Sequence, residues 1–454
     1  MQDDALMLFR SPAEVRRTAR TLALLGVDRV RLTAGWSRIA PDPQSPRRPD
    51  FDAADPAAYP PEGWRRVERA VHEVEQAGMK PMVDLAFWAP RWAVRRAVKP
   101  AGRQRYIPSV GEFALFARAA ARRLSSVRLW TTWNEPNHPA FLLPQWVRLD
   151  GAWTPYSPHL YREMHERAYD AIKSVNADNR VLLGGLASID RAHPGETTGM
   201  PPLLFLRELA CVDERLQPLR RPECRDFRPL RADGFAIHPY QFTTPPDARR
   251  GGPDSVTMAN LSDLSDLLAR LHDRGRIESR PRVYITEYGY ETNPPDPFRG
   301  VPLDKQLLWM NQATAMAHER PDVAMFAQFL LRDIGPVPGA PPRSRTRWRG
   351  YQTGLLFSDG RPKPSLLAFP LPFFAERRGG TIRAFGEVRP GSGKRRVAID
   401  ARDRSGRWKP GASFQTGDDG TFRRTLAGPG TYRFRWENGG RQAYSAPATV
   451  PPAP

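Results

Sequence analysis

Short apolar runs and amphipathic helical stretches alternate along roughly the first 375 residues of this 454-residue chain. The apolar runs are VRLTA (30–34), MKPMVDLAF (79–87), VRLWTTW (127–133), RVLLGGLAS (180–188), DGFAIHPY (233–240), RVYITEYG (282–289) and VAMFAQFLL (323–331). Helical signals lie between them. SPAEVRRTARTLALLG opens on a Ser cap followed by Pro and closes at Gly26, and GWRRVERAVHEVEQAG closes at Gly78. Alternation of this kind predicts parallel strands joined by helices. These seven strands are expected to be joined by one more at the amino terminus, with Gln2-Asp3-Asp4 as the tail of a strand whose start has been cut off. Eight such units close into an α/β fold, the (β/α)8 TIM barrel.

The texture changes near residue 380. From Thr381 to Val450 the helical period disappears, and short alternating runs such as TIRAFGEV, RRVAIDAR and GTYRFRWE are broken by Gly, Pro and Asp-Asp-Gly. This predicts a small all-β sandwich. The expected division is a barrel over 1–377, ending in a helical stretch near 363–375, and a sandwich domain over 381–454 with a frayed PPAP tail. Arg377-Arg378-Gly379-Gly380 reads as the linker. Trp408, Tyr432, Phe434 and Trp436 alternate as strand core would, so the sandwich is expected to cap the barrel rather than bind sugar.

Composition narrows the class further. Apolar residues make up 40% and charged residues 26%, which excludes wholesale disorder. No run approaches the ~18 uncharged apolar residues of a membrane span. The net charge is +20, and only seven of the 69 basic residues are Lys. Because the Arg residues are scattered among Asp and Glu, the excess reads first as genome composition; attraction to nucleic acid or acidic polysaccharide is the alternative. Cys211 and Cys224 share one loop, with no His or further Cys at metal-ligand spacing. A disulfide is expected, in an oxidising compartment, with two unpaired thiols as the alternative. The acidic start Met1-Gln2-Asp3-Asp4 is not a signal peptide, and the expectation is a secreted protein whose leader is absent from this sequence rather than a cytoplasmic one. No GxGxxG follows a strand, no P-loop is present, and the Gly-Gly of LLGGLAS lacks the remaining glycines.

The reactive groups of a parallel barrel stand where its strands end. One strand runs into LWTTWNEPNH and delivers Glu135; another, VYITEYGY, delivers Glu287. Both carboxylates are therefore expected in one mouth. Hydrolysis of a glycosidic bond needs two carboxyls there, one to protonate the departing oxygen and one to attack the anomeric carbon or activate water. A single strand-end Glu is commonly a plain surface carboxylate, whereas two in aromatic-rich settings at one mouth carry more weight. Asn134 supplies an amide for a sugar hydroxyl beside Glu135. Phe87, Trp88 and Trp92, at the end of LAFWAPRWA, offer faces for sugar stacking or packing beneath the mouth.

Trp133-Asn134-Glu135-Pro136-Asn137 and Thr286-Glu287-Tyr288-Gly289 resemble the motifs of glycoside hydrolase clan A, the retaining (β/α)8 glycosidases, and the chain looks most like families 39 and 5. The resemblance covers roughly residues 1–375. It implies that Glu135, ending strand four, is the acid/base and Glu287, ending strand seven, the nucleophile. Arg31 resembles the clan arginine that holds the nucleophile. His238 and Tyr240 resemble its polar pair on strand six, and Asn137 extends the first motif. The clan commonly carries an aromatic, often Trp, on strand eight as a sugar platform; here that strand reads MFAQFLLRD, with Gln328 and Phe329 in its place.

The resulting expectation is a retaining glycoside hydrolase acting on an oligosaccharide, polysaccharide or glycoside. No metal, organic cofactor or nucleic acid is expected. A catalytically silent carbohydrate-binding protein and a transglycosylase on the same barrel remain as alternatives.

Overall fold

The computed structural model describes residues 1–190, 193–389 and 393–452. Seven parallel strands hydrogen-bond in chain order: β1 (Arg29–Gly35), β2 (Lys80–Ala86), β3 (Leu129–Thr132), β4 (Arg180–Ala187), β5 (Gly234–His238), β6 (Val283–Tyr288) and β7 (Val323–Gln328). Most are buried along nearly their whole length, as strands covered by helices must be. The crossover helices start as the sequence suggests. Ser11 and Glu14 cap each other's backbone N–H at the start of Pro12–Leu24, through bonds of 3.1 and 3.4 Å.

The eighth position is held by one residue. Gln2 forms parallel bridges to Arg31 on β1 and to Phe329 just past β7. Its N–H donates to the Gln328 carbonyl at 3.1 Å, and its carbonyl accepts from the Leu330 N–H at 2.9 Å. The curled sheet is thereby closed into a (β/α)8 barrel.

The chain then departs from the expected boundary. The helix after β7 is only Pro364–Ala368, and the next segment is β8 (Phe373–Arg378). β8 pairs antiparallel with β9 (Thr381–Glu387), so Arg377–Gly380 closes a hairpin and is not a linker. The reason is a period of two: Phe373 and Ala375 face the sandwich core while Phe374 and Glu376 are half-exposed. β8, β9 and β11 (Thr421–Leu426) form one sheet, and β10 (Arg396–Arg402) and β12 (Gly430–Asn438) lead the other. Phe373, Phe422 and Phe434 meet edge-on between them. Ala453 and Pro454, in the expected frayed tail, lie outside the described residues.

The sandwich packs on the helix Leu303–His318. Asn311 donates to the Phe373 carbonyl at 3.1 Å, and Arg423 to the His318 carbonyl at 2.7 Å. A cavity of about 450 Å³ lies between this junction and the strand starts, lined among others by Met1, Arg29, Arg180, Tyr284, His318 and Arg389. The sandwich thus covers the amino end of the barrel, opposite the mouth. Cys211 and Cys224 are disulfide-bonded. No helix among the described residues is long and apolar enough to cross a membrane.

Candidate active site

The site begins with backbone geometry. Trp133 and Glu135, on either side of Asn134, adopt left-handed conformations with φ of 86° and 43°. Such conformations cost a few kcal/mol and persist where the surroundings fix them. Here the Trp133 N–H donates to the Leu85 carbonyl at 2.7 Å and the Glu135 N–H to the Gly185 carbonyl at 2.9 Å. The Gly-Gly of β4 explains itself at this point. Gly184 has φ of 101°, and a Cβ there would meet the Ala236 carbonyl at 2.6 Å, so only glycine lets β4 and β5 run this close.

This kink aims Glu135 into the mouth, where the end of β6 delivers Glu287. A carboxylate oxygen of each and a ring nitrogen of His238 all lie within 4.8 Å of one another. The two side chains remain 14% and 10% exposed, enough for contact with a ligand.

Their environments differ. Arg31 donates to Glu287 Oε1 at 2.5 Å, and the Tyr240 hydroxyl donates to Oε2 at 3.2 Å. Glu135 has no cation in direct contact among the described residues; its Oε1 lies 2.8 Å from His238 Nδ1. Burial pushes both carboxyls above the ordinary range. At Glu287 the Arg31 ion pair opposes that push and favours the anion, whereas at Glu135 the cation acts only from a distance. Burial also drives the His238 imidazole down to about 4. A neutral ring can accept from protonated Glu135 or, in its other tautomer, donate to the ionised form.

Arg31 is the hub of the floor. Beyond Glu287 it donates to Asn134 Oδ1 at 2.9 Å, to Gln2 Oε1, and pairs with Asp84 Oδ2 at 3.0 Å. Asp84 in turn accepts from the Thr131 hydroxyl at 2.6 Å. Sequence reasoning missed Asp84 and Gln2. The signal for Asp84 was present: a lone acid within the apolar run MVDLA can stay there only beside a cation.

Of the nine catalytic and substrate-contacting residues expected, Glu135, Glu287, Arg31, Asn134, His238 and Tyr240 converge. Two do other work. Asn137 donates to the Ala187 and Met200 carbonyls and accepts from the Ala187 N–H, all within 2.9 Å, which spends its amide on tying loops together. The Gln328 amide donates to the Phe329 and Thr353 carbonyls at 2.9 and 2.8 Å and holds the loop after β7. Neither amide nitrogen is left for a sugar. Trp88 sits at the rim, donating to the Ala140 carbonyl at 2.7 Å and stacked on Phe141. Trp36 is wholly buried against Phe116. An aromatic ring from a later loop stands beside the end of β7: Tyr351 lies edge-on to Phe329, 5.2 Å away, and Phe329 edge-on to Tyr240.

Glu135, His238 and Glu287 also present donor atoms suited to a divalent cation. The Arg31 guanidinium already occupies Glu287 Oε1, and its charge disfavours a second cation there. The other such group among the described residues, His159 with Cys211 and Cys224, has its sulfurs in the disulfide and offers no thiolate.

A closed parallel barrel with two largely buried glutamates at its carboxyl face, joined at its amino end by a β-sandwich, is the architectural class of this chain. No family model matches the sequence, and no curated protein matches it. Among solved structures it is similar to a family 39 glycoside hydrolase from Bacteroides cellulosilyticus WH2, at 17% identity and a TM-score of 0.52 over 90% of this chain and 76% of that one. It is also similar to a glucosidase from Croceicoccus marinus (13% identity, TM-score 0.49, 94% and 92% covered) and to the β-glycosidase of Thermosphaera aggregans (18%, 0.48, 78% and 83%). At such identities the likeness to the first is one of fold.

Proposed function

We propose that the chain is a glycoside hydrolase that retains anomeric configuration, with Glu287 as nucleophile and Glu135 as acid/base. The observation that carries this reading is that one carboxylate oxygen of Glu135 and one of Glu287 lie within 4.8 Å of each other. A separation of about 5–5.5 Å suits a covalent intermediate, whereas inversion needs about 6.5–9.5 Å to admit a water.

Arg31 and Tyr240 hold Glu287 ionised and aimed. Its free electron pair attacks the anomeric carbon as the bond to the leaving oxygen breaks, and Glu135 passes its proton to that oxygen. The glycosyl ester on Glu287 is then opened by water, whose proton returns to Glu135. His238 stays neutral throughout and follows Glu135 between its two protonation states. Asn134, fixed by Arg31, turns its NH2 group to the sugar hydroxyl next to the reaction centre. The disulfide supports action in an oxidising compartment.

The test is mechanism-based trapping. Aryl 2-deoxy-2-fluoroglycosides of a panel of sugars are incubated with the enzyme, and the protein is digested and weighed. The expected result is one fluoroglycosyl adduct on the peptide bearing Glu287, with retained configuration in the product of the unmodified glycoside. An adduct elsewhere, or an inverted product, overturns the assignment.

A further inference from the structure

Most arginines are interspersed with acids, but a few stretches carry cations without them, among them 85–111 and the loop after β7. In PPRSRTRWRG, within the loop after β7, residues 343, 345, 347 and 349 are all Arg, and no acidic residue occurs between Asp333 and Asp359. The loop leaves the carboxyl end of β7, so this charge stands at the mouth. Arg345, Trp348, Arg349 and Tyr351 line a pocket of about 280 Å³ together with Asp296, Phe298 and Arg299; Asp296 is buried at its base and accepts from the Phe298 N–H at 2.8 Å. Tyr351 and Arg299 also border the small recess of Tyr240, whose hydroxyl bonds Glu287. The pocket therefore lies next to Tyr240, one residue away from Glu287.

Its cations are not all satisfied. Arg299 pairs with Glu291 at 2.9 Å, but Arg345 and Arg349 are exposed, and neither has a carboxylate within ion-pair distance among the described residues. Arg345 lies 5.5 Å from the Phe298 ring, and Trp348 is half-buried beside it. Unpaired guanidinia next to flat aromatic rings suit a ligand that is itself a ring bearing an anion.

We infer that this loop forms a subsite for an anionic saccharide unit, a sugar carrying a carboxylate or sulfate, with Arg345 and Arg349 pairing with the acid and Trp348 and Tyr351 contacting the ring. The inference rests on the glycosidase reading of the neighbouring carboxylates and narrows its substrate to acidic glycans. A nucleic acid would also answer the charge, but two unpaired arginines in a pocket beside the catalytic pair fit one acidic ring better than a phosphate track.

The experiment is a calorimetric titration of Glu287→Gln protein, which binds without turnover, with trigalacturonate, a sulfated carrageenan oligosaccharide and neutral cellotriose. Trigalacturonate or the sulfated sugar is expected to bind more tightly than cellotriose, and which of them does so identifies the anion. Arg345→Ala/Arg349→Ala is expected to weaken the anionic ligand about tenfold or more and to leave cellotriose within about twofold, a selective loss that charge pairing produces and misfolding does not. Trp348→Ala is expected to weaken both. Equal affinity of the double variant for the anionic sugar, preference for cellotriose, or tighter arginine-dependent binding of an oligothymidylate overturns the subsite. Arginine-dependent binding by a wild-type protein that turns over no glycoside keeps the subsite and removes the glycosidase reading.

Discussion

Arg31 and Asp84 face each other at 3.0 Å, with side chains 1% and 0% exposed, one strand apart in the barrel interior. The pair is buried so completely that Asp84 depends on Arg31 for its charge, while Arg31 also keeps Glu287. Asp84 therefore sets where Arg31 sits, and Arg31 sets the charge and aim of Glu287. Asp84→Asn keeps the shape and removes the charge. Breaking a buried pair from one side costs about 3–5 kcal/mol. The expected outcome is a markedly lower midpoint of thermal unfolding, together with a fall in kcat that exceeds any change in KM, read by calorimetry and steady-state kinetics on the same preparation.

The Tyr240 hydroxyl donates to Glu287 Oε2 at 3.2 Å. A donor to the ionised form lowers a carboxyl pKa, so its removal raises it. In Tyr240→Phe the acid limb of the kcat/KM–pH profile is expected to move to higher pH while the alkaline limb, set by Glu135, stays in place. A profile that loses height without changing shape would assign Tyr240 to packing alone.

His238 is buried neutral, its pKa driven by burial from an ordinary 6.5 to about 4. Between those values the unfolded chain takes up a proton that the folded chain refuses, so this group's contribution to stability falls as pH drops from 6.5 towards 4. At roughly 1.4 kcal/mol per pKa unit the loss is about 3 kcal/mol. The measurement is denaturant unfolding from pH 7 to 4 for the wild type and His238→Gln; the wild type is expected to show the steeper decline, and parallel curves would sink the argument.

Cys211 and Cys224 close a loop of 13-residue separation that carries none of the catalytic groups. Closing a loop of this size restrains the unfolded chain by about 3 kcal/mol in the entropic model. Cys211→Ser/Cys224→Ser is expected to unfold at lower temperature yet to keep kcat and KM, which a thermal melt and an initial-rate assay separate.

Much of this was legible in the chain. The strand–helix alternation, the disulfide and the strand ends carrying Glu135 and Glu287 follow from local chemistry: apolar runs must be covered, and groups placed just past a barrel strand must face its mouth. What local pattern hides is which polar atoms are already spent. Asn137 stands two residues from Glu135, yet its amide is consumed by Ala187 and Met200, residues far along the chain. Gln328 is spent in the same way on Thr353. The aromatic neighbour of Phe329, Tyr351, could not be read from β7 because it returns from a loop more than twenty residues later. The strand FFAERR was not read because only four residues separate it from a short helix and its two-residue period is only six residues long.

The seam of the barrel has a consequence for how the protein fails. Every other strand junction is a ladder, but between β1 and β7 the closure passes through Gln2, and the side chain of that residue also accepts from Arg31. When this seam parts on warming, Gln2 leaves the guanidinium, and Glu287 loses the frame that aims it while the helices and remaining strands are still intact. Gln2→Ala is therefore expected to lower the proposed glycosidase activity more than the midpoint seen by circular dichroism, and an equal loss of both would show that Gln2 serves closure alone.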